Sequence, residues 1–489
     1  MNDLVALKEL TDIKITEIKQ FENTDRDRPD FSNKYLKIIY FLFNEGFRST
    51  FRKLRAHKQP QQRYLTYLTI EQNKEKYLNI SLQTQKNPSD FVLSNKFYTY
   101  STIDYDIISH NLEYYIEKFN QYIDQNHYEI LNIDTSHPIS LNVSRPRFEE
   151  EYNNGLFIYG LGGYIKMFVI QHFRKKIKKI ACIDYKADIA NNFKKTYGFK
   201  YSFLVPASSF PLLTKVKYPI AIIATYHSSH ASLAFDIFSV NPNAKIFIEK
   251  PPTVTLDDLE RLLELYKKGA NLEIGFNRRF IGYSRYVKDK VKNKTLIITC
   301  SIKEVLISKN HWYLWKNQGT RITGNAIHWF DLANYWIQSI PTEINLISNP
   351  DDKETVAISV LYKNGSILNL TASDIGNSMR GVQEKIEIRF DNETIFINDF
   401  VSLSHIKNNG LIKRKRKFRR DKGHKKMYRN FLKIIEGKKQ SDYTVSDLIN
   451  TSVITYYSSK MLLEGIRNLS IEDEIVKFAN SLMRSRIEQ

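Results

Sequence analysis

The chain has 489 residues, which is too long for one ordinary domain and predicts two or three. Hydrophobic residues at 42% and charged residues at 26% are typical of a globular protein and exclude a fibrous or largely disordered chain. The formal charge of +20 is spread along the chain rather than clustered, so we expect no nucleic-acid partner. Acidic small molecules, such as phosphorylated or nucleotide-linked sugars, are partners that fit this positive charge as well as nucleic acid does.

Cysteine usage and the N-terminal segment together predict a compartment. Cys182 and Cys300 are the only cysteines, which excludes a disulfide framework and a thiolate metal site, and we expect no metal. Residues 1–10 lack the basic start and apolar core of a secretory signal. The most apolar stretches fall short of the roughly 20 residues that cross a bilayer. We therefore expect a cytoplasmic protein with no membrane partner.

Residues 1–150 predict a small accessory α/β module without a chemical motif. Apolar residues recur at helical spacing in Asn33–Leu54 and Leu112–Ile123. Strand-like alternation occurs in Tyr64–Ile70, Tyr77–Leu82 and Tyr128–Ile133. Residues 135–146 have the composition of a linker, and we place the domain boundary near Glu150. The sequence leaves open whether this module steadies an oligomer, presents the substrate or is a decayed domain.

The pattern changes after this boundary. Residues 151–276 alternate between strand and helix patterns, which is the signature of βαβ units around a parallel sheet. The predicted strands are Leu156–Tyr159, Lys179–Asp184, Ile220–Thr225 and Ala244–Ile248. In residues 277–489 the strands are longer and alternate between apolar and polar residues. The sequence thus predicts an α/β protein in which a Rossmann-type domain precedes an α+β domain with an open, mostly antiparallel sheet.

The strand Leu156–Tyr159 runs into a glycine turn and then a helix, which is the context of a dinucleotide-binding site. Gly160 suits the tight turn, and Gly162 allows the backbone to approach a pyrophosphate at the helix N-terminus. The predicted cofactor-binding residues of this turn are Gly160, Gly162, Gly163 and Tyr164. Ile165 stands at the third glycine position of the motif. Taken alone, the turn is equally compatible with a purely structural strand-to-helix connection.

Asp184, at the end of the next predicted strand, lies at the distance expected for a ribose-binding carboxylate. Such a carboxylate accepts hydrogen bonds from the adenosine ribose and repels a 2′-phosphate, so it favours NAD over NADP. Lys186 softens this preference because it can pair with a 2′-phosphate, which keeps NADP as the alternative. The structural interpretation is an aspartate that begins a turn.

Two later segments make the pattern specific, namely Thr225-Tyr-His-Ser-Ser-His230 and Glu249-Lys250-Pro251. Residues 275–280 and 319–332 add two more ordered motifs. With the glycine turn, these motifs resemble the glucose-fructose oxidoreductase, inositol dehydrogenase and rhizopine-catabolism family, called Gfo/Idh/MocA. The resemblance covers the chain from about Gly155 to its end.

The resemblance implies an NAD(P)-dependent oxidoreductase that transfers hydride between the cofactor and a secondary alcohol of a sugar, cyclitol or nucleotide-sugar. It also implies cofactor contacts from Thr225, His230, Glu249 and Lys250. Members of the family often associate through the open face of the second-domain sheet, so a homo-oligomer, a dimer or tetramer, is expected.

Three residues are the catalytic candidates. Lys250 ends a parallel strand, where it faces the crevice that binds ligands and can hydrogen-bond the reacting hydroxyl. The resemblance implies that His328, on a predicted helix over Asn325–Trp336, is the general acid/base beside it. Family members commonly carry aspartate four residues before this histidine, where the chain has Gly324, and Asn325 is the candidate to hold the substrate instead. A strand-capping lysine and a core histidine are the structural alternatives.

The substrate candidates are Asn277, Arg321 and Asp331, and helical spacing places Asp331 on one face with Asn325 and His328. Lys316 and the aromatic segment Trp312–Trp315 are further cleft candidates. The basic run Lys413–Arg420 is interpreted as a solvated hairpin.

Two other functions stay open at this point. A non-catalytic sensor or scaffold that binds a dinucleotide would use the same fold. Binding of nucleic acid or a membrane surface through residues 1–150 has no motif in its support.

Overall fold

The computed structural model describes residues 150–487, apart from 174–176, 185–186, 204–205, 308–312, 314–315, 350–354 and 377–380. Before residue 150 it describes residue 148 and five strands. The helices predicted at Asn33–Leu54 and Leu112–Ile123 lie outside the described residues.

The five N-terminal strands form one antiparallel sheet. They are β1 (Asp12–Asn23), β2 (Tyr64–Gln72), β3 (Glu75–Gln83), β4 (Tyr128–Leu131) and β5 (Ile139–Asn142). Strand β1 pairs with β2, β4 and β5, and β2 pairs with β3. Strand β5 lies within residues 135–146, which the sequence predicted as a linker. A strand forms there because Ile139 and Leu141 alternate with polar residues.

The second sheet is a six-stranded parallel sheet. Its strands are β6 (Tyr152–Tyr159), β7 (Lys179–Ile183), β8 (Tyr201–Phe203), β9 (Val216–Ile223), β10 (Lys245–Ile248) and β11 (Asn271–Ile274). Their spatial order is β11-β10-β9-β6-β7-β8, the doubly wound order of a Rossmann fold. The order reverses between β6 and β9, so the carboxyl ends of these two strands border the crevice in which such sheets bind ligands.

Helical segments connect these strands. They are a π-helical and 3₁₀ segment (165–172), α1 (Ala187–Tyr197), α2 (Phe210–Leu213), α3 (His230–Val240) and α4 (Leu256–Lys267). The local sequence determines where α4 begins. The Thr255 hydroxyl accepts a hydrogen bond from the Asp258 backbone N–H at 3.1 Å, and the Asp258 carboxylate accepts one from the Thr255 backbone N–H.

The third sheet has nine strands. These are β12 (Ile297–Lys303), β13 (Pro341–Ser348), β14 (Val356–Tyr362), β15 (Ile367–Ser373), β16 (Gln383–Phe390), β17 (Glu393–Asn398), β18 (Ser402–Ile406), β19 (Ile412–Arg416) and β20 (Asn468–Ser470). All neighbouring strands run antiparallel except β12 and β15. Side chains of β14 alternate between buried and more exposed positions, so one face of the sheet is covered. The strand β19 is exposed throughout, as the basic run predicts.

The helices of this part are α5 (Gly282–Lys290), α6 (Ile327–Ile337), α7 (His424–Ile435), α8 (Val445–Glu464) and α9 (Glu472–Ile487). Helices α6 and α8 pack against each other, and α8 contacts β13. No helix within the described ranges is long and apolar enough to cross a membrane.

Buried charges fix the third sheet and its helices to the end of the Rossmann sheet. Arg279, which follows β11, binds the Asp331 carboxylate of α6 at 2.6 Å and Asp447 of α8 at 3.0 Å. Its neighbour Arg278 binds Glu384 of β16 at 2.6 Å. The predicted fold class is confirmed, whereas the domain limits at 150 and 276 stay predictions.

Candidate functional site

The glycine turn after β6 is shaped by the approach of two strand ends. Gly160 adopts a φ of +84°, and its N–H donates to the Ile183 carbonyl at 2.8 Å. A Cβ atom at this position would lie 2.3 Å from the Ala224 carbonyl oxygen, so only glycine fits there. Among the described residues, apart from its chain neighbours, a Cβ atom at Gly162 would meet no atom within 4 Å, and one at Gly163 would meet only the Met167 methyl at 3.8 Å. The turn therefore leaves open space at the N-terminus of the following helix, which fits a pyrophosphate.

The third glycine position of the motif holds a packed side chain. Ile165 is 1% exposed and lies in an apolar cluster with Leu156 and Ile158 of β6. The helical segment after the turn therefore packs on the sheet through Ile165, although the motif has glycine at this position.

Asp184 braces the glycine turn. Its Oδ2 accepts a hydrogen bond from the Leu161 N–H at 2.8 Å, and the side chain is 8% exposed. The carboxylate thus lies at the carboxyl end of β7 beside the turn, where a ribose-binding acid belongs. Lys186, invoked from the sequence as a 2′-phosphate partner, lies outside the described residues.

His230 ties the ends of β9 and β10 together. Its Nδ1 lies 2.7 Å from the Pro251 carbonyl oxygen and its Nε2 lies 3.1 Å from the Thr225 carbonyl oxygen. Burial lowers the pKa of His230, so the imidazole is neutral at neutral pH and carries one N–H. Nδ1 is assigned as the donor because it lies closer to its carbonyl oxygen than Nε2 does. The hydrogen bond to the Pro251 carbonyl oxygen fixes the backbone next to Lys250.

Lys250 extends from the Rossmann sheet to the second domain. Its Nζ donates to the Gly324 carbonyl oxygen at 2.7 Å and to the Tyr313 hydroxyl at 3.5 Å. The lysine is half-buried, and its ammonium lies 5.7 Å from the centroid of the Tyr313 ring. The charge is therefore held at the carboxyl end of β10 by a carbonyl oxygen and a hydroxyl, both of which are uncharged.

Glu249 points to the other side of the strand end. Its carboxylate accepts a short hydrogen bond from the Tyr428 hydroxyl, which also contacts the Tyr164 hydroxyl at 3.2 Å. Burial raises the pKa of Glu249 to about 7. Of the predicted cofactor residues, Glu249 and Tyr164 are thus joined through α7, and their contact with a cofactor stays a prediction.

His328 is a buried imidazole with an unused nitrogen. It is 7% exposed, and within the part of the chain that the structure describes its Nδ1 has no hydrogen-bond partner. Burial, together with the charges of Arg278 and Lys250, holds the pKa of His328 well below its ordinary range. The imidazole is therefore neutral at physiological pH. Such a group accepts a proton more readily than it donates one.

Asn325 and Arg321 converge on one buried acid. The Asn325 side-chain amide donates a short hydrogen bond to Glu304, and an Arg321 guanidinium nitrogen lies 3.5 Å from the same carboxylate. Arg321 also donates to the Val305 carbonyl oxygen. Both predicted residues therefore position the segment that precedes α6.

The other two substrate candidates serve the architecture. Asp331 is completely buried and holds Arg279 with both carboxylate oxygens. The Asn277 amide donates to the Lys422 carbonyl oxygen at 2.6 Å. A π-helical turn over 322–326 holds Asn325, whereas His328 and Asp331 lie in α6, so the regular helical spacing that predicted one shared face does not extend to Asn325.

Sequence reasoning gave no separate role to Tyr313 or His227. The Tyr313 ring lies 5.0 Å from the His227 ring, and a Cβ atom at Gly324 would lie 2.8 Å from it. His227 is 3% exposed, with Nδ1 3.3 Å from the Gln318 carbonyl oxygen. His227 lies in the segment Thr225–His230 and Tyr313 in the aromatic segment Trp312–Trp315, but their proximity depends on the arrangement of the two domains. Lys316 and the rest of the aromatic segment have no described side chains.

The glycine turn and the acid beside it are the features of a dinucleotide-binding Rossmann domain. Residues 156–275 match the model of the Gfo/Idh/MocA family, described as an oxidoreductase family with an NAD-binding Rossmann fold. This stretch of the chain therefore matches the NAD-binding domain of that family, which agrees with the resemblance and with the NAD cofactor expected from the sequence.

Individual proteins agree with this assignment. The uncharacterized oxidoreductase YrbE of Bacillus subtilis (strain 168) is 30% identical over 159 residues, which are 29% of this chain and 45% of that protein. The chain spans less than half the length of the curated relatives it matches.

Solved structures share the fold. Levoglucosan dehydrogenase in complex with NADH and levoglucosan has a TM-score of 0.56 at 14% identity, covering 65% of this chain and 99% of that one. GenD2 from gentamicin A biosynthesis, in complex with NAD, has a TM-score of 0.53 at 12% identity, covering 67% and 99%.

Two glycine variants separate folding from cofactor binding. We expect Gly160→Ala to lower the free energy of unfolding by about 1–3 kcal/mol or more, because its φ is left-handed and its Cβ meets backbone. Gly162→Ala leaves that free energy within about 0.5 kcal/mol, because its methyl enters open space. The same methyl lowers NADH affinity about tenfold or more. Urea unfolding and NADH fluorescence titration measure both. A Gly162→Ala protein with unaltered NADH affinity would contradict the placement of the pyrophosphate.

Glu249→Gln tests the buried acid through pH. A pKa raised from 4.5 to about 7 on folding means that the stabilisation is complete below pH 4.5 and is lost as pH rises through 7. We expect the glutamine variant to gain about 3 kcal/mol relative to wild type between pH 4.5 and pH 8, because it removes this loss. Urea unfolding of both proteins without nucleotide measures the difference, and a gap that stays constant with pH would show that Glu249 is ionised in the folded protein.

Proposed function

We propose that the chain is an NAD(P)-dependent oxidoreductase that interconverts a secondary alcohol of a sugar, cyclitol or nucleotide-sugar with the corresponding ketone. The observation that carries the proposal is the position of Lys250. Its ammonium lies at the carboxyl end of β10 and donates at 2.7 Å to Gly324 of the second domain. The cleft that a substrate would enter is thus bordered by both domains.

The site supplies what hydride transfer needs from a protein, which is orientation and a path for a proton. Bound nicotinamide supplies or accepts the hydride. Gly160 and Gly162 would hold the pyrophosphate, and Asp184 would hold the adenosine ribose. Lys250 hydrogen-bonds the substrate oxygen and stabilises negative charge that develops on it.

His328 supports the same chemistry from a buried position. Its low pKa keeps the imidazole neutral, and among the described residues its Nδ1 has no hydrogen-bond partner, so this nitrogen can form a hydrogen bond in the region where the Lys250 charge is felt. We include it as the second member of the proton path. Asn325 and Arg321 enter the proposal as residues that position the segment before α6 through Glu304.

The polyol substrate class rests on the relatives. Levoglucosan dehydrogenase is one of the solved structures with this fold, and it has been seen with NADH and levoglucosan. The positive charge of the chain agrees with a substrate that carries an acidic group, such as a nucleotide-sugar.

A second copy of the chain is the proposed partner. The alternating pattern of the nine-stranded sheet leaves apolar side chains on its uncovered face, including Ile347 at 71% and Phe396 at 40% exposure. Exposed apolar patches of this kind mark protein contacts. A homo-oligomer, dimer or tetramer, would bury them.

Two Asp184 variants test the cofactor preference. Asp184→Asn retains an oxygen that accepts the Leu161 N–H but removes the negative charge, so we expect the NADPH-to-NADH affinity ratio to rise about tenfold or more. Asp184→Ala also loses the bond to the turn, which costs about fivefold in affinity for both nucleotides. Fluorescence titrations with NADH and NADPH supply the four constants. An unchanged ratio in the asparagine variant would place the adenosine ribose elsewhere.

Lys250→Met tests the reaction itself. With NAD⁺ and either myo-inositol or levoglucosan as probe, followed by nicotinamide absorbance, we expect kcat to fall about 100-fold or more while NADH affinity stays within about threefold. Lys268→Met is the matched control, because Lys268 pairs with Glu264 on the exposed side of α4. Wild-type protein that binds NADH but reduces or oxidises no polyol would support the non-catalytic sensor instead.

A further inference from the structure

The space beside Gly324 is filled by an aromatic ring from another segment. A Cβ atom at residue 324 would lie 2.8 and 2.9 Å from two ring atoms of Tyr313, and 3.4 Å from Cε1 of His227. Contacts this short are not made by real Cβ atoms, so the ring can occupy this position only because residue 324 is glycine. Resting on the function proposed above, we propose that the Tyr313 phenol exchanges the proton with the substrate oxygen.

The distances allow one substrate oxygen to reach both groups. The Tyr313 hydroxyl lies 3.5 Å from the Lys250 ammonium nitrogen. An oxygen atom can lie about 2.8 Å from each of two atoms with that separation, which is the ordinary length of a hydrogen bond. Both side chains are partly exposed, so the point between them is reachable from the cleft. The phenol would thus touch the same oxygen that Lys250 binds.

The ring is held in this position from two sides. Its centroid lies 5.0 Å from the His227 ring, and the Lys250 ammonium lies 5.7 Å from the same centroid. His227 is itself buried, with Nδ1 3.3 Å from the Gln318 carbonyl oxygen. An aromatic ring between an imidazole and a cation has little freedom to rotate away, so the hydroxyl is preorganised next to Lys250.

Tyr313 suits the donation of a proton better than His328 does. His328 is 7% exposed and surrounded by the charges of Arg278, Lys250 and Lys422, which keep its imidazole neutral. A neutral imidazole is a weak acid, whereas a phenol beside an ammonium donates a proton and leaves an anion that the ammonium stabilises. The geometry therefore gives the acid step to Tyr313.

The step balances in both directions. In reduction, the carbonyl carbon gains hydride from reduced nicotinamide while the carbonyl oxygen takes the phenolic proton, which gives the alcohol and oxidised nicotinamide. The phenolate is held by the Lys250 ammonium and regains a proton from water. In oxidation, the phenolate removes the hydroxyl proton as the carbon loses hydride, and the proton passes to water.

The test compares wild type with Tyr313→Phe, which keeps the ring and removes the hydroxyl. Tyr218→Phe is the matched control, because Tyr218 is 43% exposed near the amino end of β9. With myo-inositol and levoglucosan as probes, we expect kcat to fall about 100-fold or more while KM and NADH affinity stay within about threefold. The dependence of kcat on pH should also change in Tyr313→Phe alone, which a merely structural role would not produce.

Gly324→Ala provides a second, independent measurement. Its methyl displaces the Tyr313 ring, so we expect a similar loss of kcat, with little further loss when both changes are combined. Losses that multiply in the double variant, or kcat retained within about threefold in Tyr313→Phe, would overturn the inference. Wild-type protein that binds no NADH, or acts on no polyol, would instead refute the proposed function and the proton step with it.

Discussion

The hydrogen bond between the Lys250 ammonium and the Gly324 carbonyl oxygen is the contact on which the site depends. It joins the carboxyl end of a Rossmann strand to the turn that precedes α6. Parallel strands direct their carboxyl ends to one edge of the sheet, and this bond brings the second domain to that edge. His230 fixes the backbone next to Lys250 through its hydrogen bond to the Pro251 carbonyl oxygen, and the Tyr313 hydroxyl lies 3.5 Å from the Lys250 ammonium nitrogen. Cofactor turn, lysine and phenol therefore meet at one place.

Buried charges determine how the two domains meet. The adjacent residues Arg278 and Arg279 turn to different partners, Glu384 on the nine-stranded sheet and Asp331 on α6. Burial disfavours ionisation of Glu384, but the charge of Arg278 outweighs it and lowers the pKa of this acid to about 2. Removing one partner of such a buried ion pair strongly destabilises the folded protein, because the other charge is left buried without a partner. These ion pairs therefore join the end of the Rossmann sheet to the nine-stranded sheet and to α6.

The sequence predicts most of the fold because its patterns are local. Alternating strands and helices, the glycine turn and Asp184 all depend on neighbours in the chain, and the parallel and antiparallel sheets follow from them. The predicted shared face with Asn325 does not follow, since Asn325 lies in a π-helical turn before α6, and the ion pair of Asp331 with Arg279 depends on a distant part of the chain. Tyr313 could not be linked to Lys250 from spacing, because the two residues are 63 positions apart and meet only across the domains. Gly324 stands where members of the family commonly have aspartate, and only the packing shows that the Tyr313 ring fills the space beside it.

The most direct measurement is a crystal structure of the protein with NADH bound. The account predicts the pyrophosphate against Gly162 at the N-terminus of the helix after β6, as its open space requires. It also predicts the nicotinamide ring within about 6 Å of the Lys250 ammonium, a separation that a single carbon–oxygen group can bridge. A dinucleotide bound elsewhere, or a nicotinamide ring on the far side of the sheet from Lys250, would contradict the assignment of this cleft as the site of hydride transfer.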